Sequence, residues 1–198
     1  VLNSPALSGH GQYFGVASNY LAKLKEGDRI TCSVRPSNIT FHPPEDTKIP
    51  IVMIAAGTGI APFRGFIQER AAQLVCGREV GPATLYFGCR SDQDYLYANE
   101  LDKWAKLGAV EIKMAFSRKE NHKKQYVQDL LWEDREDIAK SYRNNARFYT
   151  CGSAKKLGVS VRTCFIKIIS EFKNCNEEEA GKFLEKISRD RYSVDVFL

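Results

Sequence analysis

The chain carries six cysteines, at positions 32, 76, 89, 151, 164 and 175, yet no C-x-x-C pair and no histidine spaced to complete one. That absence argues against a structural zinc site and a secreted disulfide scaffold, and leaves reduced thiols in a cytosolic compartment as the natural reading. Nowhere do apolar residues run together over the roughly 18 positions that a membrane-spanning helix needs. Basic runs are missing too. The 29 basic and 24 acidic residues are spread along the sequence, which speaks against a nucleic-acid surface and suits a small anionic ligand. There is no internal repeat and no low-complexity tract. The first residues, VLNSPALSGHG, have neither an initiator Met nor a signal-peptide pattern, so the expectation is a piece of a longer soluble, cytoplasmic protein.

What is present divides into two parts. At 198 residues and 43% hydrophobic, the chain can bury one full core with an appendage. The segment DRITCSV, Asp28 to Val34, alternates like a half-buried strand. It is followed by RPSNITFHPPEDTKIP, where four prolines and a charge cluster break any regular element. The sequence therefore predicts a boundary near residue 46, with residues 1–46 and 47–198 as separate regions. Beyond it, the β-rich runs IVMIAA, ATLYFG, VEIKMAF and ARFYTCG alternate with the helical patterns FRGFIQERAAQL, ANELDKWAKL, YVQDLLWEDREDIAKSY, SVRTCFIKIISEF and EEEAGKFLEKI. Such alternation predicts an α/β domain, a parallel sheet covered on both faces.

Three of those strands run into small, polar or reactive residues: Gly57-Thr58-Gly59, Gly88-Cys89-Arg90 and Cys151-Gly152. Ligands of open α/β sheets bind at the carboxyl ends of strands, so these turns are expected to line one crevice. In AAGTGIAPF the glycines permit a tight strand-to-helix turn that lets a phosphate approach backbone N–H groups, and Pro62 suits a first helical turn. The dinucleotide fingerprint, however, wants a third glycine where Pro62 stands. Taken alone, the stretch reads equally as an ordinary βα turn. In AFSRKENHKKQYVQ, a hydroxyl (Ser117), a guanidinium (Arg118) and an ammonium (Lys124) could hold a phosphate monoester, with Tyr126 stacking on a flat base and Gln128 opening the next helix. A solvated loop is the bland alternative. Cys151 is equally a small core residue. The ending RYSVDVFL is a β-like run whose Phe197 is either tucked into the core or held against a ligand.

Together these blocks resemble the ferredoxin-NADP reductase superfamily, in its diflavin branch of NADPH-cytochrome P-450 reductases and their fusions. The match runs in order through GVASNYL, GTGIAPFRGF, FGCRSDQDYLYANEL, AFSR, K-x-YVQ, FYTCG and RYSVDVF. In that family the nucleotide turn reads G-T-G-x-A-P-F, so Pro62 counts for the resemblance. Several blocks look similar to the reductase part of self-sufficient fungal fatty-acid hydroxylases. The resemblance implies a Rossmann-like NADP-binding domain, residues 47–198, preceded by the end of an antiparallel FAD-binding β-barrel, residues 1–46.

It further implies that Gly15, Val16, Ala17 and Ser18 cradle the FAD pyrophosphate, and that Gly57, Thr58 and Gly59 hold the NADPH pyrophosphate. Ser117, Arg118, Lys124 and Tyr126 would grip the adenosine 2'-phosphate. Cys89 and Arg90 would flank the nicotinamide-nucleotide side, and Cys151, with Gly152 beside it, and Asp195 would lie by the nicotinamide and the flavin. Phe197 would cover the flavin ring. The implied activity passes a hydride from NADPH to FAD, then electrons through an FMN-binding flavodoxin-like domain to a haem monooxygenase domain on the same chain.

The sequence departs from the family pattern at Ser153 and Ser160, where acids are usual, and at Phe197, where Trp is common. The flavin-binding R-x-Y-[ST] strand motif is absent from its place, so FAD retention by this chain is expected to be poor. The alternatives are a reductase component for another acceptor, of sulfite reductase or methionine synthase reductase type, or a non-catalytic NADP-binding module.

Overall fold

The computed structural model describes residues 3–5, 11–33 and 41–197. The chain forms two compact units, Val1–Pro36 and Ser37–Leu198. In the first, a short antiparallel pair, β1 (Asn3–Pro5) and β2 (Gln12–Phe14), precedes helix α1 (Val16–Lys23). The strand read from DRITCSV does not form: residues 28–33 have no regular structure and are exposed, while Val34 lies outside the described residues. A strand exists only through a neighbour's ladder, and among the described residues this segment has none.

The second unit is built on five parallel strands: β3 (Ile51–Ala56), β4 (Ala83–Cys89), β5 (Glu111–Phe116), β6 (Arg147–Ser153) and β7 (Tyr192–Phe197). Their order across the sheet is β5-β4-β3-β6-β7. β3 is central, and IVMIAA is apolar throughout because both of its faces are covered. Ile51, Met53 and Ala55 point to one face, where they meet Phe63, Phe66 and Ile67 of α2 (Ala61–Val75) and Leu101 of α3 (Ala98–Lys106). Val52 and Ile54 point to the other. There they meet α4 (Val127–Glu133), α5 (Arg135–Arg143), α6 (Val159–Lys173) and α7 (Glu177–Ile187).

Local chemistry sets the element ends. Pro62 occupies the first turn of α2, where its missing N–H costs nothing. Gly77, at φ +74°, closes that helix: its N–H donates to the Leu74 carbonyl and Arg78 N–H to that of Gln73. Asn176 caps α7, its side chain accepting from the Glu179 N–H at 2.9 Å. The pattern YVQDLLWEDREDIAKSY predicts one continuous helix, but the structure divides it at Asp134. The Asp134 carboxylate is drawn to the sheet, where it accepts from Lys113 Nζ at 2.6 Å and from the Tyr86 hydroxyl at 3.1 Å. A tertiary anchor overrides helical continuity there. Phe41, which the sequence assigned to the first region, packs against Phe63, Phe66 and Tyr149 in the core of the second unit.

Candidate functional site

The chain runs from β3 through β4 to β5 on one side of the sheet and then crosses to β6 and β7 on the other. The carboxyl ends of β3 and β6 therefore flank the point where strand order reverses, the place where open α/β sheets bind ligands. At the end of β3 the residues Gly57–Ile60 form a tight 3-10 turn that feeds directly into α2. Its two glycines serve different ends. Gly57 adopts φ +55° and has open space around it. Gly59 is buried on the end of β6, where a Cβ would lie 2.6 Å from the Cys151 carbonyl carbon and 2.9 Å from Gly152 Cα. Thr58 between them is exposed. The result is a backbone turn pressed against β6 and open on its outer side, at the start of a 15-residue helix.

The neighbouring strand ends join this turn. Ala56 pairs with Gly88 and Cys89 with Phe116, so Cys89, Arg90 and Ser117 lie together where β4 and β5 end. Backbone bonds clamp the two loops: Ser117 N–H donates to the Cys89 carbonyl at 3.0 Å and Arg118 N–H to that of Arg90 at 2.8 Å. Lys119 spans the same gap with an ion pair to Asp92 at 2.8 Å. Gln125 N–H then returns to the Phe116 carbonyl at 2.9 Å, which closes the loop and brings Lys124 and Tyr126 back to the end of β5. Lys124 Nζ sits 5.2 Å from the Tyr126 ring centroid. The Tyr126 N–H, at the head of α4, is held by the Asp129 carboxylate at 2.8 Å. Arg90, Arg118, Lys124 and Tyr126 are exposed at this rim.

On the other side of the turn, Cys151 is the register partner of Asp195, and Ser153 that of Phe197. Burial pushes the Cys151 thiol up to about 11, and the Asp195 charge adds to the shift. Cys89 is raised likewise to about 11, by burial first and then by Asp94 and Asp92, with Lys119 opposing. Both groups are neutral thiols at pH 7, so they act as packing surface and weak S–H donors rather than as thiolate nucleophiles. Cys89 Sγ donates to the Ser91 carbonyl at 3.4 Å. Gly152 is closely packed, since a Cβ there would be 2.7 Å from Leu157 Cδ2. Phe197 ends the edge strand with 47% of its surface exposed.

Gly15, Val16, Ala17 and Ser18 lie in the first unit, at the amino end of α1. The Gly15 carbonyl accepts the Asn19 N–H at 3.1 Å and the Asn19 side-chain amide at 2.9 Å, and Val16 is 82% exposed. Gln128 is half-buried, two residues after Tyr126. It lines a polar groove between α4 and α6 with Lys123, Ser160, Thr163 and Lys167. The groove is visible only in three dimensions, although Ser160, Thr163 and Lys167 have the spacing of one helical face.

Residues 53–162, more than half of the chain, match the family model described as "Oxidoreductase NAD-binding domain". The chain belongs to that family. Relatives of this oxidoreductase NAD-binding domain include the "Self-sufficient cytochrome P450 monooxygenase CYP505E3" of Phanerodontia chrysosporium, 46% identical over 202 residues. The "Bifunctional cytochrome P450/NADPH--P450 reductase" proteins of Fusarium oxysporum and Bacillus cereus are 43% and 42% identical over 206 and 199 residues. Each alignment covers 100% of this chain and 19% of the relative. Among the described residues, no helix is long and apolar enough to cross a membrane.

Proposed function

We propose that the chain is the NADP(H)-binding part of an NADPH-dependent flavoprotein reductase that serves a haem monooxygenase, in a parent protein that also carries FMN and haem domains and resides in the cytoplasm. The observation that carries this reading is the G-T-G turn at the sheet's switch point, with Gly59 seated on the strand that bears Cys151 and with Cys151 paired to Asp195. The family and the names of the relatives support it.

The residues fit a phosphorylated dinucleotide. Gly57 leaves open space beside exposed backbone at the head of α2, where a pyrophosphate is favoured by N–H groups and helix dipole. Ser117, Arg118, Lys124 and Tyr126 supply a hydroxyl, two cations and a ring for a phosphate monoester and its base. Arg118 acts as the fixed charge, and the clamp of β4 to β5 holds its backbone in place. Cys151 presents an uncharged S–H at the rung shared with Asp195, which keeps a negative charge from crowding that carboxylate. Phe197 is an exposed ring at the strand end, able to cover a flat group and to turn aside from it. FAD, when bound, supplies the electron acceptor for the nicotinamide hydride. Residues 1–46 are assigned as the last part of its barrel, with Gly15 to Ser18 for its pyrophosphate.

Calorimetry with NADP+, 2'-phospho-AMP and NAD+ tests the assignment on the chain itself. NADP+ binds more tightly than NAD+, and Arg118→Ala removes about 1.5–3 kcal/mol of that preference, the worth of a charge-assisted hydrogen bond. Equal affinities for the two coenzymes, or an unchanged ratio in Arg118→Ala, would defeat it.

A further inference from the structure

The sheet face that carries α4 to α7 holds a second cavity, away from the carboxyl ends of the strands. It lies between three helices and has a volume of about 200 Å³. Ile138 and Tyr142 of α5, Phe165 and Ile169 of α6, and Phe183 and Ile187 of α7 form its wall. The cleft is partly open to solvent, so its apolar wall lacks packing partners on one side. An apolar cavity of about 150 Å³ is already large enough to take up benzene. The space is sized for one ring or one short alkyl chain.

Two cations are among its lining residues. Arg143 ends α5 and Lys173 ends α6, both are exposed, and both line the cavity. Basic residues are ordinary at helix carboxyl ends. These two differ in what surrounds them. Arg135 already bridges α5 to α6 through Glu171 at 3.0 Å, whereas among the described residues neither Arg143 nor Lys173 meets a carboxylate. Lys173 Nζ instead lies 4.3 Å from the Phe183 ring centroid, so its charge rests on the cavity wall itself. An apolar slot whose lining carries two cations and no carboxylate is complementary to a molecule with an apolar tail and one anionic head.

We propose that this cleft binds a short amphiphilic monocarboxylate, its tail among Phe165, Ile169, Phe183 and Ile187 and its carboxylate between Arg143 and Lys173. The site is separate from the nucleotide residues, and the proposal does not depend on the function assigned to them.

The test uses the full chain, titrated with octanoate and with the neutral 1-octanol, and follows isoleucine and leucine methyl groups by NMR. Octanoate binds saturably at one site and moves the methyl signals of Ile138, Ile168, Ile169, Leu184 and Ile187. The double variant Arg143→Gln/Lys173→Gln, altered only at exposed positions, weakens octanoate about tenfold, the scale of two partly exposed ion pairs, and leaves 1-octanol unchanged. Ile169→Trp, which fills the slot, abolishes the binding of both. Failure of octanoate to saturate, shifts that map elsewhere, or an octanoate affinity that ignores the double variant overturns the proposal. So does sedimentation showing that a second copy of the chain occupies the cleft.

Discussion

The two units use the same residue types to opposite effect. In the first, Tyr13, Phe14, Val16, Tyr20, Leu21 and Ile30 are exposed, and α1 buries none of its residues. In the second, Phe63, Phe87, Ile54 and Leu85 are inaccessible, and α6 buries Val161, Cys164, Phe165 and Ile168. α1 is no less apolar in pattern, yet none of its residues is buried. Amphipathic sequence proposes a face, and only a second surface turns that face into stability.

Side-chain truncation puts the comparison under the largest load. Phe63→Ala, at the centre of the core against Phe41 and Phe66, costs about 3–5 kcal/mol, while Tyr20→Ala changes stability by less than about 0.5 kcal/mol. Urea midpoints report both, and similar losses at the two sites would erase the distinction. The next effect separates the two turn glycines. Gly59→Ala forces a Cβ against the β6 backbone and costs about 3 kcal/mol or more. Gly57→Ala has room and meets only the strain of its positive φ, about 1–2 kcal/mol. A melting series that ranks them the other way would mean that the turn does not rest on β6.

A third effect is one of pH. Cys89, Cys151 and Cys164, all in the second unit, are each raised by burial from an ordinary 9.0 to about 11. The folded state thus holds these protons more tightly than the unfolded chain does. Their contribution is complete below pH 9 and is lost as pH rises towards 11. Stability should fall across that window, and a flat profile would contradict the burial. Cys32, exposed in the first unit, should alkylate well before Cys151 in the native protein.

Much of the second unit was legible in the sequence. The runs IVMIAA and EEEAGKFLEKI coincide with β3 and α7, because continuous apolar runs and capped amphipathic runs carry their own punctuation. DRITCSV misled, since alternation describes a face and not the neighbour it needs. The helix break at Asp134 was hidden because its cause, Lys113, sits on a strand twenty-one residues earlier. At the candidate site, residue types foretold that glycines, a thiol and cations would gather at strand ends. They could not tell that Gly59 is seated while Gly57 is free, nor that Gln128 lines a groove between α4 and α6. Those facts belong to tertiary contact.

The strand order has a consequence for how the molecule is assembled in time. β3 is the first strand of the sheet in sequence but stands at its centre, and its pairing with β6 sets Ile51 opposite Arg147. The β3-β4-β5 half can zip up through its own crossovers, and β6 then joins across the connection from Phe116 to Arg147, roughly thirty residues whose closure is an entropic cost met before any rung rewards it. The seat of Gly59 on Cys151 is created only at that closure. Refolding should therefore restore most helical signal before coenzyme affinity returns, which makes nucleotide binding a late clock for the whole fold.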